Sequence, residues 1–167
     1  MCALVETKNS IFFFGSSACF SQFHPARFVV RDVIYQNAEQ YMMAQKALLF
    51  HDEECYKRIL AARHPKDMKS LGRQVKGFDE AVWAKNRFRI VVEGNTAKFS
   101  QNPALRAQLL KSGTKDLVEA SPYDRVWGIG LSVDEARRAG KDEWRGLNLL
   151  GEALMAVRDS LRSVQVD

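Results

Sequence analysis

The sequence predicts an α+β fold, a single helix-rich domain with a few short strands. Three observations carry this. Stretches with apolar residues at helical spacing, most of them opened by a capping residue, fill most of the chain. The stretches of strand character are few and short. No internal repeat, low-complexity run or linker divides the 167 residues, so one domain spans 1–167 with a core of about 11–162.

The elements follow in order. Ile11-Phe12-Phe13-Phe14 is a short aromatic run stopped by Gly15-Ser16-Ser17, which reads as a buried strand. Phe20 to Pro25 reads as a loop. Ala26 to Gln36 is rich in Val, Ile, Phe and Tyr around Arg31-Asp32, giving two short strands with a turn or one bent strand. Asn37 then opens a helix, and Gln40 three residues on completes a capping box. Asp52 caps a second helix through about Arg63. Pro65 suits the first turn of a short third one that Gly72-Arg73 closes. Asp79 caps a longer helix from Glu80 towards Ser100, with Gly94 as a weak point and Trp83 as a core residue. Asn102-Pro103 opens another, through Lys111. Asp116 to Ala120 is a short strand candidate. Ser121 to Glu143 reads as a long functional loop with one helical turn at Asp134 to Arg138. Asn148 caps the last helix, where Leu150, Leu154, Val157 and Leu161 form a stripe.

Composition excludes several function classes. Hydrophobic residues at 46% and charged residues at 27% are ordinary for a soluble globular protein. No run of eighteen apolar residues exists, so no membrane span is expected. Met1 to Glu6 lacks the basic start and apolar run of a signal peptide. Cys2, Cys19 and Cys55 are odd in number and scattered, showing neither a disulfide framework nor metal-ligand spacing; a reducing, cytosolic or nuclear setting fits. His24, His51 and His64 form no metal pattern, and no P-loop or haem motif occurs, so no metal and no cofactor is expected. The net charge of +5 favours an anionic partner, although the basic residues read as dispersed, with Arg137-Arg138 and Lys141 the nearest thing to a patch.

The helix opened by Asn37 is the centre of the chain's chemistry. At about 100° per residue, Glu39, Met43, Lys46 and Phe50 fall within roughly 40° of one line. One face therefore carries a carboxylate and, two turns later, an amine. Spacing alone also fits a surface helix with two solvated charges.

The residues around it carry a further signal. Phe14-Gly15 and Phe20-Ser21-Gln22-Phe23 precede Glu39-Gln40-Tyr41 and Gln45-Lys46. Gly72-Arg73, Trp83, Lys98-Phe99, Leu117-Val118-Glu119, Ser121-Pro122, Asp124, Trp127-Gly128-Ile129-Gly130 and Gly146-Leu147-Asn148 come after it. In order and spacing, from about Phe13 to Arg158, this resembles the NADAR family of YbiA-like proteins. The resemblance implies a small α+β enzyme that hydrolyses N-glycosidic bonds of ribose derivatives. The family's substrate classes are early phosphoribosyl intermediates of riboflavin synthesis and ADP-ribose attached to guanine in DNA or RNA. Between them the reading leans to ADP-ribosylated guanine, because the chain is basic and carries no fused riboflavin-synthesis domain. A non-catalytic ADP-ribose-binding module is the alternative of another class.

The resemblance also implies roles. Breaking an N-glycosidic bond places positive charge on the sugar's anomeric carbon, which a carboxylate stabilises, or the carboxylate activates the attacking water; Glu39 is the candidate. Lys46 either attacks the anomeric carbon and forms a Schiff base with the opened ribose, or binds phosphate and sugar hydroxyls as an ammonium. Asp124 holds ribose hydroxyls or orients Lys46, or else is a turn residue bonding its own backbone. Trp127, Gly128 and Gly130 form a ligand-lining loop, in which the glycines offer N–H groups to phosphate and Trp127 stacks a base. Gly15, Ser21 and Phe23 match the early motif, and Gln45, Arg73, Glu119 and Asn148 are further ligand contacts. Gln22 stands where the family more often has Asn.

Overall fold

The structure, a computed structural model, describes residues 3–164. Its elements in chain order are β1 (Leu4–Glu6), β2 (Ser10–Phe13), β3 (Phe28–Val30), β4 (Val33–Tyr35), α1 (Ala38–Leu49), α2 (Glu53–Ala61), α3 (Pro65–Gly72), α4 (Glu80–Gln101), α5 (Pro103–Lys111), β5 (Asp116–Glu119), α6 (Val133–Arg138) and α7 (Leu149–Ser163). A 3-10 turn at Lys141–Glu143 precedes α7. The α+β class follows from this content, and two compact units share it. One is Pro25–Asn102; the other combines Met1–His24 with Pro103–Asp167. None of the described helices is long and apolar enough to cross a membrane.

The two-segment unit is built on a three-stranded sheet in the order β1-β2-β5, antiparallel between β1 and β2 and parallel between β2 and β5. The aromatic run supplies β2: Ile11, Phe12 and Phe13 are buried, while Phe14 lies beyond the strand and is exposed. Strand β1 is an element the sequence reading does not contain, since three residues are too few for a period-2 pattern to register. Phe12, Val118, Ala120, Ile129, Leu131 and Ala136 form one apolar cluster, with the partly buried Trp144 packed against it. The stripe Leu150, Leu154, Val157 and Leu161 is buried on α7. The helical turn expected at Asp134 to Arg138 is α6, closed by a capping box between Ser132 and Glu135. Cys19 is disulfide-bonded, which corrects the expectation that the cysteines form no pairing, because scattered sequence spacing carries no information on approach in space. Cys2 lies outside the described residues.

In the unit Pro25–Asn102, β3 and β4 form a hairpin with Arg31 and Asp32 at φ of 49° and 63°, the paired left-handed conformation of a two-residue turn. This settles two strands over one bent strand. The hairpin delivers Phe28 and Tyr35 to Tyr41 on α1, with ring centroids 5.0 to 6.0 Å apart. Helices α2, α3 and α4 all pack on α1. Eight of its residues are buried, Ala38 to Ala44 in one run and Ala47.

Two glycines permit this packing. A Cβ at Gly72 on α3 would strike the side chain of Met43, and one at Gly94 on α4 would strike the ring of Tyr41. Gly94 is therefore a close-approach position in an unbroken helix rather than a weak point, and the helix runs on to Gln101. Further along α4, Lys98 is fully buried with its Nζ 4.9 Å from the Phe99 centroid, and burial pushes its amine down to about 7.

Gly→Ala in an open helix gains about 1 kcal/mol. At Gly94 the Tyr41 ring must move instead, so Gly94→Ala is expected to lose about 1–3 kcal/mol. Urea denaturation checks this, and an unchanged or raised midpoint contradicts the packing role.

Candidate active site

The chemistry of the unit Pro25–Asn102 begins at the first turn of α1. The Asn37 side chain accepts from Gln40 N–H at 2.8 Å, as the sequence predicts. Gln40 does not return the bond to Asn37. Its Oε1 accepts from Gln36 N–H at 2.8 Å, and its Nε2 donates to the Ile59 and Leu60 carbonyls at the end of α2. Gln40 is thereby spent on holding α1 to its neighbours. The adjacent Glu39 is 3% exposed, a buried carboxylate rather than a solvated one.

Two turns on, Lys46 is half-buried. Its Nζ lies 4.4 Å from the Phe78 ring centroid and 5.5 Å from that of Trp83. Phe78 precedes the Asp79 cap of α4 and Trp83 is the fourth helical residue, the two positions of a hydrophobic staple. Burial lowers the Lys46 pKa, and the Arg73 charge adds to this; Glu80, Cys55 and Glu39 oppose it. Aromatic faces favour the ammonium, so the amine is held between desolvation on one side and cation–π and carboxylate attraction on the other, and burial prevails. Cys55 is free and buried, its thiol pushed up by burial, and donates to the Leu71 carbonyl at 3.3 Å.

Arg73 caps the C-terminus of α3 and is exposed. Gln45 leans to the hairpin, where its Nε2 donates to the Tyr35 hydroxyl at 3.4 Å. The unit thus assembles Glu39, Lys46 and Arg73, and adds Phe78, Glu80 and Cys55, which sequence reasoning missed, and Trp83, which it assigned to the core. The staple pattern Phe78-Asp79…Trp83 is the signal that could have found the two rings.

The other unit holds the remaining candidates. Asp124 Oδ1 accepts from Val126 N–H at 2.9 Å and Trp127 N–H at 2.8 Å, an Asx turn that shapes the loop. Gly128 is needed because a Cβ there would lie 3.0 Å from the Glu119 and Asp124 carbonyls, and Gly130 because its φ is +69°. The Gly130 N–H donates to Asp124 O, so that group does not serve a phosphate. Ser21 is buried and its hydroxyl accepts from Phe23 N–H at 3.1 Å. Gly15 adopts φ +81° at the turn before it. Glu119, Phe23 and Trp127 are half-buried.

Asn148 corrects the sequence reading. It holds the N-cap position of α7, as expected, at φ 52°, but makes no side-chain cap hydrogen bond. Its Oδ1 accepts from Glu119 N–H at 3.0 Å and its Nδ2 donates to Leu117 O at 2.9 Å, so the side chain clamps the start of α7 to β5. The first N–H groups of α7, at Leu149 and Leu150, donate to Val126 and Trp127 carbonyls, which leaves no free anion site at those groups. Among the described residues no group of three or more His, Cys, Asp and Glu could hold a metal ion.

Reductive methylation with 13C-labelled formaldehyde makes the Lys46 amine visible by NMR. Its titration midpoint is expected below those of the exposed lysines. Glu80→Gln removes an attracting charge and lowers it further; a rise in Glu80→Gln contradicts this electrostatic arrangement.

A model of the NADAR domain matches residues 12–162 of the chain. An N-glycosidase of Acanthamoeba polyphaga mimivirus is 43% identical, with 93% of this chain and 98% of that protein covered. A riboflavin biosynthesis protein of Zea mays, PYRR, is 30% identical over 85% of this chain and 23% of its own length. The NMR structure of E. coli YbiA superimposes with a TM-score of 0.79 at 26% identity, covering 98% of this chain and 90% of that one. With the family model spanning nearly all of the described fold, the chain belongs to the NADAR domain family.

Proposed function

We propose that this chain is an N-glycosidase acting on a ribose derivative, and that its substrate is guanine carrying ADP-ribose in a nucleic acid. The observation that carries the reading is the half-buried Lys46 amine beneath Phe78 and Trp83, with a lowered pKa, on one helix with the buried Glu39. A lysine that sheds its proton readily is a nucleophile. The likeness to a named N-glycosidase over nearly its whole length supports the same reaction class.

In this reading the Lys46 amine attacks the anomeric carbon while the bond from that carbon to the base nitrogen breaks. Glu39 stabilises the positive charge that develops there. The proton shed by the attacking amine replaces the sugar on the departing base. Opening of the ribose ring then gives a Schiff base between Lys46 and the sugar. Addition of water to it releases the free sugar and restores the amine, so the sum is hydrolysis. In this reading Asp124 acts by shaping its own loop, which its Asx turn supports. The second reading, a phosphoribosylaminopyrimidine of riboflavin synthesis as substrate, is favoured by the name of the maize relative.

The test is incubation with a guanine-ADP-ribosylated oligonucleotide, with products read by mass spectrometry. Release of ADP-ribose with plain guanine restored is expected. Glu39→Ala and Lys46→Ala should each lose at least about 100-fold in rate. Borohydride added during turnover should leave the sugar covalently on Lys46. Because the amine form is the reactive one, the rate should rise with pH through the lowered Lys46 pKa. Release of the base from a phosphoribosylaminopyrimidine alone would move the assignment to the second reading. Tight ADP-ribose binding with no turnover of either compound, undiminished in Glu39→Ala, would establish a non-catalytic module instead.

A further inference from the structure

The charge of this chain is unevenly held. The unit Pro25–Asn102 contains fourteen of the 25 Lys and Arg and nine of the 20 Asp and Glu, so the whole net charge of +5 lies in the unit that carries Lys46. Within it, residues 57–76 hold seven basic side chains and one acidic one, Asp67. The pair Arg137-Arg138, which looked like the nearest patch in the sequence, stands beside Asp134 around one shallow depression, and Lys141 is paired with Asp116 at 2.7 Å. The dispersed-charge reading is therefore corrected: the concentration is on α3 and its flanks.

Helical geometry orders that concentration into a line. At about 100° per residue, Lys66, Lys69 and Arg73 fall within about 60° of one another, and Asp67 points about 130° away from their mean direction. Arg73 continues the helical backbone at φ −76° and ψ −16°, so the three cations span about 10 Å along one edge of α3. Arg63 precedes the line and Lys76 follows it. Arg63, Lys66 and Arg73 are exposed, and among the described residues none of these three makes a carboxylate ion pair. Lys76 pairs with Glu54 at 3.8 Å, with both side chains at least three-quarters exposed, which neutralises little. The Arg73 end adjoins Lys46, whose amine feels the Arg73 charge, and there Phe78 leaves 43% of its surface open.

We propose that the Lys66–Lys69–Arg73 edge of α3 is a track for the phosphodiester backbone of a single-stranded nucleic acid, leading it to Lys46, with the open surface of Phe78 against a base. A single file of cations ending at an exposed ring suits a linear polyanion with flat bases. A lipid surface would be met by a broad basic face rather than by one helical edge. The proposal rests on the N-glycosidase reading for the identity of the modified base, but the track itself is tested without catalysis.

The experiment is fluorescence anisotropy of the whole chain with a labelled, unmodified twelve-nucleotide single-stranded DNA over a range of salt. The wild type is compared with Lys66→Ala/Lys69→Ala, with the exposed single reversal Lys66→Glu, and with Arg137→Ala/Arg138→Ala as the basic control. Loss of two phosphate contacts predicts affinity down about tenfold or more at low salt, and a log–log salt slope shallower by about 1.4 in the α3 double variant. Lys66→Glu should weaken binding and the α6 pair should not. Absence of wild-type binding overturns the proposal, as does equal or greater loss in the α6 pair. Turnover of a free phosphoribosyl compound, measured separately on the wild type, distinguishes the two readings. Turnover without DNA binding sinks the track and keeps the enzyme; DNA binding without any turnover does the reverse.

Discussion

Nearly everything in the unit Pro25–Asn102 depends on how closely α1 is gripped. Three helices and a hairpin press on twelve residues, and two glycines set the distance of approach. Gly72 admits Met43 and Gly94 admits Tyr41, so α1 has no freedom to roll. The three aromatic rings of Phe28, Tyr35 and Tyr41 add contacts worth about 0.5–1.5 kcal/mol per pair beyond their burial. Fixing the roll of α1 fixes the directions of Glu39 and Lys46 together. Their common face is thus a property of the core, and the side chains need few restraints of their own.

The grip also explains the electrostatics. A surface helix would leave both charges in water at no cost, as the spacing alone permits. Packing α2, α3 and α4 around α1 removes that water, buries Glu39 and half-buries Lys46. Burial disfavours the ammonium, while Phe78 and Trp83 keep its side chain from turning away. An amine that is desolvated yet held by aromatic faces combines reactivity with a fixed position, which a solvated lysine at the same place would not.

Much of this was legible in the sequence. Asn37, Asp52 and Asp79 cap the helices they were expected to open, each accepting from the N–H three residues on, because capping is settled within one turn of chain. Pro65 starts α3 and Pro103 starts α5 for the same local reason. The misses share a long-range cause. Gly94 looks like a weak point until Tyr41 arrives against it. Asn148 has the composition of a cap, but its partners lie in β5, some thirty residues earlier. Phe78 and Glu80 reach Lys46 from another element, so no periodicity on α1 discloses them. The disulfide at Cys19 likewise exists only once the chain is folded.

Lys98 carries a consequence for solution behaviour. Its amine sits at about 7 in the folded chain against an ordinary 10.5. Below about pH 7 both the folded and unfolded chains hold the proton, and the folded one bears the full cost of a buried charge. Between about 7 and 10.5 the unfolded chain keeps a proton that the folded chain has released, so stability climbs with pH across that window. Unfolding there takes up a proton at this residue. The penalty from Lys98 is thus full in acid and gone only above about 10.5, and its pH dependence has the same sign as that of carboxylates held in their charged form, since in both cases the unfolded chain binds the extra proton.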